Sequence, residues 1–245
     1  MPIESILGLL QLLVSVFISY KLYQSVKNNP ENVNIAYFYY TFILLSIVFA
    51  FSAFSVISIM NFKADFLISA INIIGRGLIL LGVMFFAYIP LNILKDDFWR
   101  SVLPISVLIV AVSSNLFSLM SLFNYPRTPV GEVGIFVVRL HRGDLYTQIG
   151  VGLIGLAAIS SLILATYKYF KVIYRDAHDS YVFNRGLLIV GAALLFILGI
   201  ASNYFLAFYL PIFGRVFSEI IFLIALICFA ISVLYKKDKN LVGSS

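Results

Sequence analysis

The sequence predicts an all-α membrane protein, a seven-transmembrane-helix bundle with its N-terminus outside and its C-terminus in the cytoplasm. Three observations carry that expectation. The 245 residues are 62% hydrophobic and 11% charged, with mean hydropathy +1.02, whereas a soluble domain carries about 25% charged residues. Seven stretches reach the ~20 apolar residues that a helix needs to cross a bilayer. Lysine and arginine are spread unevenly over the connections between those stretches, as they are in membrane proteins of fixed orientation.

In chain order the spans cover residues 3–23, 34–60, 66–93, 98–123, 145–170, 182–210 and 212–235. The first follows "MPIES", which has no positive leading region, so it is not expected to be a cleaved signal peptide. The third holds Arg76 near its middle and Pro90 near its end, where the proline is expected to kink the helix rather than end it. Between the fourth and fifth spans lies the longest connection, "NYPRTPVGEVGIFVVRLHRGDLY". Its "VGIFVVRL" is rich in β-branched and aromatic residues and suits a short strand or hairpin capping the bundle, either as a lid or as a structured connector. The sixth and seventh spans meet at Pro211, which marks a tight turn. No polar connection is long enough for a soluble domain. Residues 1–240 read as one seven-helix domain and 241–245 as a disordered tail or a non-native remnant.

The orientation follows from the positive residues. Lys21, Lys27, Lys95, Arg100, Lys168, Lys171, Arg175, Arg185, Lys236, Lys237 and Lys239 fall on one side, eleven in all, against five (Lys63, Arg127, Arg139, Arg142 and Arg215) on the other. The richer side is expected to be cytoplasmic, in the cell's own (plasma or cytoplasmic) membrane. A pI near 9.3 is then topogenic charge rather than a nucleic-acid surface, and no nucleic acid is expected as partner. Tyr20, Tyr23, Tyr37, Tyr39, Tyr40, Tyr88, Tyr167, Tyr169, Tyr174 and Tyr235 sit near the inner boundaries with Trp99. They suit an aromatic belt in the headgroup layer, or else a docking surface for a cytoplasmic partner.

The residues argue against an enzyme. His141 and His178 lie in loops on opposite sides, so they can neither share a metal nor form a dyad, and no span offers a histidine to a haem. The one cysteine, Cys228, stands in an apolar run. The seventh span has no lysine for a retinal Schiff base. No cofactor and no metal are expected.

What stands out instead is a layer of polar residues at one depth. Counted inward from the outer boundaries at 1.5 Å per residue, Gln11, Asn72, Arg76, Asn115, Asn203 and Glu219 lie roughly 10–15 Å deep, with Ser113, Ser114 and Ser202 beside them. An arginine at that depth costs several kcal/mol unless paired or hydrated. Glu219 is the carboxylate at matching depth, and a hydrogen-bonded pair would offset much of the desolvation of both ions. Three readings stay open: a clip that packs helices, a pair that lines an outward-facing pocket with Asn72, Asn115 and Asn203, or Arg76 snorkelling outwards alone with Glu219 facing elsewhere. Deeper positions such as Ile79 and Leu226 are expected to be dry.

At "RLHRGDLYTQIGVGLIG" and "RGLLIVGAALLFILGIASNYF" the chain resembles the seven-helix N-terminal sensor region of some bacterial histidine kinases and related signalling proteins. The matching features are Arg142, Gly143 and Tyr146 entering the fifth helix, Arg185 at the start of the sixth, and Gly199 with Asn203 and Tyr204 near its end. The resemblance covers residues 116–237. It implies a receptor-like sensor that binds a small or lipid-like ligand in its outer half and signals to a cytoplasmic partner, since no kinase or cyclase domain follows Tyr235 here. The alternatives are an accessory subunit of a larger membrane complex, whose polar layer glues helices, and a small-solute transporter.

Overall fold

The computed structural model describes residues 3–62, 65–124, 131–133, 136–138, 145–175 and 179–234. They form seven helices: α1 (Ile3–Asn28), α2 (Val33–Phe62), α3 (Asp65–Ile93), α4 (Asp97–Asn124), α5 (Leu145–Arg175), α6 (Ser180–Tyr209) and α7 (Pro211–Leu234). All seven are long and apolar enough to cross a membrane, so the chain is a multi-pass membrane protein in a lipid bilayer. The helices alternate in direction. The side on which α1 begins is called here the N-face, and the side on which α7 ends the C-face.

Hydropathy placed these helices well, because the apolar run itself sets their length. The differences lie at the C-face, where α1 continues to Asn28 and α5 to Arg175, a turn or more beyond the apolar runs. Lysine, arginine and glutamine are good helix formers and snorkel into the headgroup layer, so nothing there breaks the helix. Three helices that start at this face are capped by an Asx residue accepting free backbone N–H groups. Asn32 accepts from Ile35 at 3.3 Å, Asp96 from Trp99 at 3.4 Å, and Asp179 from Tyr181 at 2.9 Å. The turn between α3 and α4 is a Schellman closure: Asp96 N–H donates to Leu91 O (2.9 Å) and Lys95 N–H to Asn92 O (3.2 Å). Lys95 takes the left-handed position, φ 53°, that glycine usually fills.

Pro90 does not end its helix, which continues to Ile93. Pro211 opens α7, a first-turn position where its missing N–H costs nothing. The expected strand element is present as a hairpin of β1 (Gly131–Val133) and β2 (Phe136–Val138), antiparallel, with Glu132 opposite Val137. It belongs to the N-face, where β2 lies against α1 and α7.

Six helices form a closed ring. Neighbours pack in the order α1, α2, α3, α5, α6, α7 and back to α1, while α4 sits outside against α3 and α5. The outer surface is apolar, with Leu13, Leu108 and Leu156 each more than 60% exposed, as lipid-facing residues are. Small and hydroxyl side chains hold the helices close. Ser46 Oγ donates to Ser15 Oγ (3.0 Å) and lies 3.4 Å from Ser19 Oγ, all three buried between α1 and α2. Thr41 Oγ1 reaches the Gly82 carbonyl of α3 at 3.3 Å. Ser114 Oγ bonds the Gly150 carbonyl of α5 at 2.7 Å.

The tyrosines divide. Tyr20, Tyr23, Tyr40, Tyr167 and Tyr174 are exposed with Trp99 near the C-face, as an interfacial belt requires. Tyr169 departs from that expectation and is buried at 5% exposure, because it shares the inward face of α5 with Leu162 and Thr166.

Candidate functional site

Inside the ring is a cavity of about 240 Å³ walled by α1, α2, α3, α5, α6 and α7. Among the described residues α4 contributes nothing to it. The ring order explains this, since a helix outside the ring has no face towards its interior.

The cavity is polarised along the membrane normal. Towards the N-face its wall carries Gln11, Asn203 and Glu219. Gln11 is 1% exposed and donates through Nε2 to Glu219 twice, to Oε2 at 2.6 Å and to the backbone carbonyl at 2.9 Å. Glu219 stands about two turns into α7, on the side that meets α1. Asn203 is exposed while lining the cavity, which marks where the interior meets the surface.

Towards the C-face the wall becomes aromatic. Phe42 meets Phe229 edge-on at 5.1 Å, and Phe86 meets Phe229 edge-on at 5.6 Å. Phe196 packs on both Phe222 (5.5 Å) and Phe229 (6.0 Å). These rings form a floor. Gly199 makes room for it, since a Cβ there would stand 2.6 Å from the Phe222 ring. The chemistry on offer is a carboxylate, two amides and a deep apolar well, which suits an amphipathic guest: a hydrogen-bonding head near Glu219 and an apolar body on the phenylalanines.

The chain matches no family model, no curated protein and no solved structure.

The predicted polar residues are distributed unequally over this geometry. Glu219 and Asn203 are brought together, with Gln11. Arg76 is half-buried on the face of α3 that continues into the cavity wall at Ile79, Val83 and Phe86, one turn nearer the N-face. Asn115 is half-buried on α4, outside the ring, with its Oδ1 buried and without a hydrogen-bond partner. The side chain of Asn72 lies outside the described residues, as do His141, His178, Arg142 and Gly143. Ser114 and Ser202 are buried. Ile79, expected to lie deeper than the polar layer, is part of the cavity wall, which runs about a turn deeper than its polar residues. Leu226 is fully buried, as expected. Reading the sequence for polarity missed the phenylalanine floor, since these rings are indistinguishable from lipid-facing ones by residue type.

Proposed function

We propose that this chain is a receptor-like sensor module without catalytic activity, set in the cytoplasmic membrane with its N-face outside. It binds a small or lipid-like ligand in the ring cavity and passes the change in helix packing to a partner at the C-face. The observation that supports this reading is the polarised cavity itself, open on its polar side and floored by phenylalanines. A ligand that displaces Phe222 must move Phe196 and Phe229, which touch it in sequence and reach Phe86 on α3. Packed aromatic chains have few alternative arrangements, so such a displacement is propagated rather than absorbed. The excess of lysine and arginine at the C-face supports a cytoplasmic C-terminus.

The test uses single cysteines in a Cys228→Ser background. Asn203→Cys and Ile79→Cys should react with small water-soluble thiol reagents added from outside, and Leu226→Cys should not. Silence at both cavity positions would overturn the reading. Orientation is checked with cysteines at Lys237 and Thr128, labelled from the cytoplasm and from outside respectively.

An accessory-subunit reading is favoured by α4, which lies outside the ring and exposes Ile105, Leu108, Ile109, Val112 and Leu116. Copurification of a stoichiometric membrane partner, lost when Leu108 and Val112 are replaced by tryptophan, would support it over the sensor.

A further inference from the structure

Beneath the phenylalanine floor the interior becomes polar a second time, and there its polar atoms lack partners. Tyr169, 5% exposed, packs its ring on Phe86 at 5.5 Å, yet its hydroxyl has no hydrogen-bond partner. Thr166, one turn along the same helix and 6% exposed, is also unpartnered. Several helical threonines and serines here bond back to their own helix, as Thr41, Ser46 and Ser106 do, and Thr166 does not. The third member is Arg185, half-buried, with its Nε buried and unpartnered. Helical spacing puts it on the face of α6 that carries the buried Ile189 and Ala192, and its neighbour Gly186 stands directly against Ile173 of α5, one turn beyond Tyr169.

Buried hydroxyls are normally satisfied, and a buried guanidinium is normally met by an anion. Among the described residues Arg185 makes one hydrogen bond, a long one of 3.5 Å to Tyr181 Oη, and no ion pair. The nearby carboxylates are committed elsewhere: Asp96 to Lys168 and Asp179 to the backbone N–H groups of Tyr181 and Val182.

We infer that Arg185, Tyr169 and Thr166 form a binding site for a phosphate group at the C-face end of the ring. The donor set fits: a guanidinium fork takes two oxygens of one phosphate, and the hydroxyls take a third. The depth fits as well. Arg185 is five residues into α6 and Tyr169 six residues from the end of α5, placing both roughly 7–9 Å from the helix ends, the level of lipid phosphates at a bilayer surface. Basic pockets between transmembrane helices hold lipid headgroups in this way. A phosphorylated small molecule entering from the same side offers the same chemistry.

The site is tested on the full chain in neutral-detergent micelles by thermal unfolding. Three additions are compared: inorganic phosphate against potassium chloride at equal ionic strength, phosphatidylglycerol, and diacylglycerol, which has the tails without the phosphate. A rise in midpoint with inorganic phosphate identifies a soluble phosphate ligand, and a rise with phosphatidylglycerol but not diacylglycerol identifies a lipid headgroup. Either supports the site. Tyr169→Phe removes one hydrogen bond to a charged group and should weaken binding by about tenfold or more, and Arg185→Gln should abolish it. Should that variant not fold, Arg185→Lys and Tyr169→Phe carry the comparison. No ligand-dependent rise in the parent, or an equal rise in parent and variants, would overturn the proposal.

Discussion

Gln11 and Glu219 join the first helix to the last: one amide nitrogen donates to both the carboxylate (2.6 Å) and the backbone carbonyl (2.9 Å) of the same residue. The contact closes the ring on its polar side. It is also the best-defined hydrogen bond of the cavity, because its donor is 1% exposed. Replacing Gln11 by leucine removes the donor and keeps the volume, leaving Glu219 with fewer partners. The expected loss is about 1.5–3 kcal/mol of stability, the range for a hydrogen bond to a charged group, read as a fall in thermal midpoint in detergent. An unchanged midpoint would mean that the ring does not depend on this closure.

Arg76 and Glu219 are examined by a double-mutant cycle. Arg76→Ala alone should destabilise the bundle by about 3–5 kcal/mol if it leaves a buried carboxylate uncompensated. Arg76→Met combined with Glu219→Gln should recover much of that loss. A double variant that melts no higher than the worse single one shows that the two residues do not act on each other.

Gly199 and Gly191 occupy the same helix with opposite surroundings. A Cβ at Gly199 would press on Phe222 at 2.6 Å, whereas one at Gly191 would meet nothing within 4 Å. Gly199→Ala should therefore cost about 1–3 kcal/mol through overpacking and shift the aromatic floor. Gly191→Ala should leave the thermal midpoint unchanged or raise it. Equal effects at the two positions would argue against a rigid floor.

The loop between α3 and α4 gives a pH dependence. The hydrogen bond from the Lys168 ammonium holds the Asp96 carboxyl below its usual value, with smaller help from the Trp99 N–H and the Lys171 charge, against the opposing effect of burial. A depressed carboxylate adds stability that is fully present above its unfolded value, near 3.9, and is lost as pH falls through its folded value. Lys168→Met should thus lower the midpoint at pH 7 by the equivalent of about 1 kcal/mol, and the gap should close as the medium is acidified below pH 4. A gap that persists at low pH would assign the loss to packing of the lysine stem.

The helices were legible in the sequence because crossing a bilayer demands length and apolarity, and both are properties of composition. Depth was legible for the same reason, so Gln11, Asn203 and Glu219 stand at a common level in the sequence and line one cavity, where Gln11 bonds Glu219. What composition does not encode is the direction each side chain faces around its helix. In water, an apolar stripe distinguishes inside from outside, but lipid is as apolar as a protein core. Asn115 and Asn203 therefore looked equivalent, although one sits on α4 outside the ring and the other lines the cavity. Tyr169 looked like its neighbours Tyr167 and Tyr174, yet it alone of the three is buried. Arg185 entered the reading as a topogenic charge, since its missing counter-ion becomes visible once α5 and α6 are side by side.

Ring closure also has a consequence for biosynthesis. Gln11 and Glu219 are 208 residues apart, and ribosomes extend a chain by about 5–20 residues per second. Roughly 10–40 s therefore pass between making the first partner and making the second. Through that interval α1 rests in the bilayer with a polar amide facing lipid, and the walls of the future cavity face lipid as well. The nascent protein is a half-open shell until its last helix arrives. Quality-control proteases and insertion chaperones would meet it in that state, and a ribosome stalled before α7 would release a chain with no means of sealing itself.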